Sequence, residues 1–496
     1  MQAGRTAAGT AKHTWYTCAN NVADSAPMLG SKTVGRARHG VVVRAARVEE
    51  DEEQKSVEAH FESVVSGEND YDGSSNTVFG AAALIIGSTI GAGILALPDI
   101  TKTAGFVPST CGLVGIWTFL VGQAFLLAEV NIRLMEQESE SEERKKNTIL
   151  TLRVMAERTL GPAGKGVTWI YLGLSYCLLV AYLSKFSDIF GFLSDGALSS
   201  STVATTCVLL TVALFGIGGP SAPDKLNQGL TSALMVLFLS MLGLGMSNTD
   251  LTGLLINPVG LENWQALGPA IPIIFLSLVY HDLIPLICSY LDGDRARTRL
   301  ALVVGSVVPL LMFISWEAVA LSISGGPTEE GSLVSILTKT SGNPFIAYLV
   351  QSFSFVAVGT SFLGTTMGVS ETIRAEMSSF SKRITNKLLS SQEFEEISTL
   401  EDETSNDTVD RGVALTLTLV PPLLFNSGDP SVFLSVLSFA GGYGMTFLYG
   451  VLPPLMAASL RKKKTNSNRY VFLPGGNAAL GALLLGACGL ILIKSS

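Results

Sequence analysis

Apolar runs of about 20 residues recur along most of this chain, and that is the length an α-helix needs to cross a hydrocarbon core ~30 Å thick. Eleven such spans are predicted. They begin near Thr77, Phe106, Val167, Thr202, Gly229, Ala270, Leu300, Pro344, Gly412, Pro430 and Tyr470. Charged residues make up 15% of the 496 positions, whereas ordinary soluble domains carry about 25%. A transmembrane β-barrel would show short alternating segments instead. The fold class predicted is an all-α polytopic membrane protein with 11 transmembrane helices.

Loop charge tests the count. With the N-terminus inside, 21 of the 33 lysines and arginines fall in inside loops and four outside, the rest lying in the N-terminal tail. A missed or extra span would invert the pattern downstream, and the asymmetry holds through the last loop, Arg461 to Arg469.

The net charge of −8 comes largely from one acidic stretch, Glu49 to Asp72, and no basic domain points to a nucleic-acid partner. Residues 1–47 hold seven basic residues and a single acid, Asp24, with plentiful Ser, Thr and Ala. That composition, followed by the switch at "VVVRAARVEE", predicts an organellar transit peptide of plastid type. The destination is then the plastid inner envelope, with the mitochondrial inner membrane or the plasma membrane as alternatives. A disordered cytosolic tail has similar composition. Residues 48–75 read as an acidic disordered tail, 76–495 as the transmembrane domain, and 377–411 as a disordered inside loop rich in Ser and Glu. Of the six cysteines, five are scattered through apolar segments without C-x-x-C spacing, which supports neither a metal site nor a disulfide framework.

Two spans carry residues that work against a helix. In "LIIGSTIGAGILALP", Gly87, Gly91 and Gly93 fall within seven residues, each costing about 1 kcal/mol of helix stability relative to alanine. Five spans later, "IFLSLVYHDLIPLICSYLDGD" places Tyr280, His281 and Asp282 in mid-membrane ahead of Pro285. Interrupted spans at corresponding places in two halves mark a transporter binding site. Breaks in spans 1 and 6 imply two five-helix repeats of opposite topology, spans 1–5 and 6–10, with span 11 added. Exposed backbone groups at the breaks can bind a zwitterion, and half-helix N-termini favour its carboxylate. Close packing of small residues is the other explanation of Gly87 and Gly91.

"GSTIGAGILALP" with "AGF", "YHDLIPLICSYLDGD", "RLALVVGSVVPLLMFISWEAVALSISGG" and "TSFLGTTMGVSET" together resemble the aromatic amino acid permeases, the tyrosine- and tryptophan-specific family of the amino acid–polyamine–organocation superfamily. The resemblance spans about Asn76 to Ile493. It implies a leucine-transporter-type five-plus-five inverted repeat and proton-driven symport of tyrosine or tryptophan by alternating access. Members with a leader of this kind are expected in the plastid envelope. The chain departs from the family pattern at Val279–Tyr280, where a glycine and an aromatic are usual, and at Asp282, usually apolar.

Candidate substrate-binding residues are Gly87, Ser88, Thr89, Gly91, Ala92, Gly93, Tyr280 and His281. Candidates for the coupling proton or ion are His281, Asp282, Thr360 and Ser361. Histidine titrates in the physiological range, and intramembrane acids are functional by default. Sodium-coupled relatives of the fold use hydroxyls at places like Thr360 and Ser361, but such hydroxyls also serve interhelical hydrogen bonds. Glu129 is expected to be structural, and Glu317 receives no role. No Walker spacing or other enzyme signature appears, so no cofactor and no enzymatic activity are expected. The partners expected are an amino acid, a coupling proton or sodium ion, and the bilayer. The rivals are a sodium-coupled carrier of neutral amino acids and a non-transporting membrane sensor.

Overall fold

The computed structural model describes residues 77–140, 150–217, 222–246, 263–323, 344–389, 403–426, 429, 431–462, 472–473 and 475–495. The leader and acidic tail expected at 1–47 and 48–75 lie outside the described residues. Among the described residues the structure is all-helical.

Span 1 is two helices, α1 (Val78–Thr89) and α2 (Gly93–Thr101), bent by 57° at their junction. Span 2 is α3 (Phe106–Glu140). The short α4 (Leu152–Leu160) leads into span 3, α5 (Gly166–Leu193). Spans 4 and 5 are α6 (Ser200–Ile217) and α7 (Ala222–Met246). Span 6 is again two helices, α8 (Ile271–Leu278) and α9 (Ile284–Tyr290), and span 7 is α10 (Arg295–Ile323). Spans 8 and 9 are α11 (Pro344–Leu389) and α12 (Glu403–Phe425). Span 10 begins as α13 (Ser431–Phe439), widens into π-helix over Ala440–Met445 and Phe447–Val451, and ends as α14 (Leu452–Lys462). Span 11 is α15 (Gly476–Ser495).

Nine of these stretches are long and apolar enough to cross a membrane, and the bent α1–α2 pair makes a tenth. The predicted ninth span is helical, as α12, and is not among those nine. Residues 377–389 continue α11 and 403–411 open α12, so of the expected inside loop only 390–402 lie outside the described helices.

Local chemistry explains several boundaries. Thr77 caps α1, its Oγ1 accepting the Gly80 N–H at 3.0 Å. In "LDGD", Asp292 and Gly293 take φ of 51° and 72°, a conformation glycine adopts without strain. Asp294 then caps α10, accepting the Ala296 and Arg297 amides at 2.9 and 3.0 Å. Asp429 accepts the Ser431 N–H at 2.9 Å at the start of α13.

The packing repeats itself between the halves. Span 1 lies on span 7, and span 6 lies on span 2; span 5 lies on span 8, and span 10 on span 3; span 4 lies on span 3, and span 9 on span 8. Each pair becomes the other when five is added to or subtracted from both numbers. The two equivalent helices α5 and α11 pack on each other. This is the pattern of a five-plus-five repeat. Spans 4, 5 and 11 are peripheral: only 22%, 17% and 11% of their apolar windows are buried, and Leu209, Leu210, Leu239 and Leu485 point outward. In lipid such faces need no protein partner. At one end of the bundle, fully buried Glu129 on α3 accepts from Arg133 at 2.9 Å, from Arg461 at 2.6 and 2.8 Å, and from the Phe472 N–H at 3.2 Å. It ties span 2 to the end of span 10, and its carboxylate is compensated by two cations, as a buried ion requires.

Candidate functional site

The break in span 1 falls at Ile90–Ala92. Ile90 is extended (φ −84°, ψ 105°), and helix resumes only after Ala92. The Ala92 N–H donates to the Ser361 hydroxyl of α11 at 3.0 Å, which satisfies one of the amides a helix start leaves open. The glycines let this loop press against its neighbours. A Cβ on Gly91 would sit 2.7 Å from Ser361 Oγ, and one on Gly93 would sit 2.5 Å from Ser277 Oγ and 3.0 Å from the Ser277 Cα. Ser277 is on α8, so the first break rests on the half-helix that leads into the second. Gly87 is looser, facing the Thr231 methyl at 3.5 Å.

The hydroxyls beside the glycines are already engaged locally. Ser88 donates to the Ile85 carbonyl at 3.1 Å and Thr89 to the same oxygen at 2.7 Å. Ser88 is exposed, whereas Thr89 is buried. On α11, buried Thr360 donates to the Ala357 carbonyl at 3.0 Å. Ser361, one position on, faces span 1, and the phenol of buried Tyr182 on α5 lies within reach of Ser361 and Thr365. The break therefore meets spans 6 and 8 within a few residues.

The break in span 6 falls at Val279–Tyr280 with no glycine present. Val279 is extended (φ −73°, ψ 126°) and Tyr280 has φ −132°, ψ 13°, so neither needs a left-handed conformation. Pro285 lies in the first turn of α9, where its missing N–H leaves no bond unmade. His281 is fully buried, and its Nε2 lies 3.1 Å from the Leu120 carbonyl of α3. A carbonyl only accepts, so Nε2 carries the hydrogen. Nδ1 finds no hydrogen-bond partner among the described residues. The ring lies between those of Tyr280 and Tyr449, at 5.1 and 5.3 Å. Tyr449, in the π-helical part of span 10, donates its hydroxyl to Asp282 Oδ1. Asp282 is exposed as a residue, although His281, Ile284, Pro285 and Tyr449 around it are buried.

The candidate residues thus form two adjoining groups. Gly91, Ala92, Gly93 and Ser361 meet at the first break. Tyr280, His281 and Asp282 meet span 2 and span 10 at the second. The described hydrogen bonds take His281 to α3 and not to the glycine segment. Sequence reasoning missed Ser277 and Tyr449. A serine in an apolar run carries no signal of what it touches. "AGGYGMTFLYG" did carry one, since its glycines coincide with the π-helix, a form that often accompanies functional sites. A Cβ on Gly441 there would collide with the Pro272 carbonyl oxygen of α8.

Among known proteins, 28% of residues match the tyrosine-specific transport system 1 of Haemophilus influenzae, over 83% of this chain and 94% of that one. The glutamine transporter 2 of Aliivibrio fischeri is 27% identical over 84% and 98%. The tryptophan-specific transport protein of Haemophilus influenzae is 24% identical over 83% and 94%. A solved inward-facing conformation of Mhp1 superposes with a TM-score of 0.51 at 14% identity, covering 85% of this chain and 90% of that one, a likeness of fold. The sequence profile of the tryptophan/tyrosine permease family matches residues 74–392 and 397–494, nearly the whole membrane domain. The chain is a multi-pass membrane protein of the tryptophan/tyrosine permease family.

Proposed function

We propose that this protein is a secondary active transporter that carries tyrosine or tryptophan across a membrane by alternating access, in symport with protons. The observation that carries this reading is the meeting of the two broken spans, where Gly93 rests on Ser277 and the loop between α1 and α2 faces α11. A zwitterion suits that junction: half-helix N-termini attract its carboxylate, and exposed carbonyls or Asp282 attract its ammonium group. Gly87, Ser88, Thr89, Gly91, Ala92, Gly93, Tyr280 and His281 are the proposed substrate residues. The relatives named for tyrosine and tryptophan support an aromatic substrate, and the glutamine transporter among them makes a smaller neutral amino acid the second reading.

His281, Asp282, Thr360 and Ser361 are the proposed coupling residues. A sodium ion would need the Thr360 and Ser361 oxygens as ligands. The Ser361 oxygen accepts the Ala92 N–H, and the Thr360 hydroxyl donates to the Ala357 carbonyl of its own helix. From the basic, acid-poor leader we propose the plastid inner envelope as the location.

The test is uptake of labelled tyrosine, tryptophan and glutamine into proteoliposomes holding the full chain. The expected result is accumulation of an aromatic substrate that survives removal of sodium and collapses with a protonophore. Accumulation that requires sodium would overturn the proton reading, and preference for glutamine would overturn the aromatic one.

A further inference from the structure

Span 7 grips the second half of span 1 at two points. Trp316 of α10 donates its indole N–H to the Ile94 carbonyl at 3.1 Å. One residue on, Glu317 Oε2 lies 2.8 Å from the hydroxyl oxygen of Thr101, at the far end of α2. Glu317 and Thr101 are fully buried.

The hydrogen count at Thr101 is informative. Its Oγ1 is 2.8 Å from Glu317 Oε2 and also 2.8 Å from the Leu97 carbonyl oxygen. The hydroxyl owns one hydrogen, and a carbonyl oxygen and an ionised carboxylate both only accept. Both contacts are good hydrogen bonds if Glu317 brings the second hydrogen: Glu317 O–H donates to Thr101, and Thr101 donates to Leu97. The other carboxyl oxygen, Oε1, has no hydrogen-bond partner among the described residues. An ionised Glu317 would leave that oxygen as a bare buried charge acceptor. Helices α1, α2, α3, α7 and α8 pack on α10; α1 and α8 carry no charged side chain, α2 carries Asp99 with Lys102 just past its end, α3 carries the Glu129–Arg133–Glu136 group and α7 Asp224 and Lys225, and Glu317 forms no ion pair among the described residues. Burying an ion without a counter-charge is far costlier than burying the neutral acid.

We propose that Glu317 binds a proton that locks α2 onto span 7, which makes it a coupling residue beyond the two broken segments. The proposal rests on the proton-symport reading and gives it a place. Seating α2 against α10 takes a proton from water onto the carboxylate. Swinging α2 away breaks the Thr101 bond, exposes the carboxyl and lets the proton leave. Since the N-terminal end of α2 is the glycine break itself, proton occupancy and substrate access are linked, and linkage is reciprocal.

The experiment compares the full-length protein with Glu317→Gln in proteoliposomes. Glutamine keeps the shape and still donates to Thr101, so it mimics the protonated state. Labelled-substrate exchange without a gradient should stay within about threefold of the unaltered protein. Accumulation driven by an imposed pH gradient should fall at least tenfold. Gradient-driven accumulation at the unaltered level in Glu317→Gln would overturn the role of Glu317 and leave proton symport intact. Loss of exchange as well, in protein inserted at normal levels, would also overturn it, since that is a structural defect. If the unaltered protein ignores the pH gradient, the symport reading itself fails. Should Glu317→Gln not insert, Glu317→Asp decides: a displaced pH profile of uptake supports the proposal, and an unmoved one overturns it.

Discussion

The two broken spans solve one problem by different means. Both must interrupt a helix where lipid offers no water to the freed backbone groups. Span 1 does it with glycine, and the space that side chains would fill is occupied by Ser361 and Ser277. Span 6 does it with valine and tyrosine in ordinary backbone conformations, then fixes the result by polar anchors, His281 on the Leu120 carbonyl and Tyr449 on Asp282. The first break is limited by room and the second by hydrogen bonds. Added volume should damage the first, and lost polar contacts the second.

The largest effect is expected from Gly93→Leu. Its side chain has no place to go but into the Ser277 backbone, so uptake should fall by about 100-fold or more while membrane insertion, read by quantitative blotting of the membrane fraction, stays normal. Gly91→Ala should cost less, on the order of tenfold, because the obstacle is a hydroxyl. In a double-mutant cycle read by the thermal midpoint in detergent, Ser361→Ala should cost less in the Gly91→Ala background than alone, a coupling of about 1 kcal/mol for residues in contact. At the second break, His281→Leu should lower stability by about 1–3 kcal/mol, the cost of a lost buried hydrogen bond, visible as a lower thermal midpoint in detergent. His281→Gln, whose amide can still donate, should lose less. The smallest effect belongs to Gly364→Ala on α11, where an added Cβ meets nothing within 4 Å. Uptake within about twofold of normal is expected there. A large loss would mean that glycine content, and not crowding, governs these helices.

Much of this arrangement is legible along the chain because it depends on local chemistry. The glycine cluster of span 1 and the His-Asp-Pro interruption of span 6 announce themselves within a few residues. The alternation of basic loops follows from composition alone. What could not be read depends on partners far away in sequence. Leu120 and His281 are 161 residues apart, Thr101 and Glu317 are 216 apart, and no periodicity links them. Glu317 was visible as an acid in an apolar run, but its hydrogen count exists only once α2 lies against α10. The break at Val279–Tyr280 was obscured for a related reason. Without glycine, only the surrounding helices show where the chain unwinds.

The central claim is that the protein carries an aromatic amino acid through the junction of its broken helices by alternating access. Counterflow tests it most directly: proteoliposomes of the full chain, loaded with unlabelled tyrosine or tryptophan, are placed in a trace of labelled tyrosine without any gradient. The account predicts a transient overshoot of label that is absent from empty liposomes and from Gly93→Leu. No overshoot from correctly inserted protein, or an overshoot that Gly93→Leu reproduces in full, would contradict it.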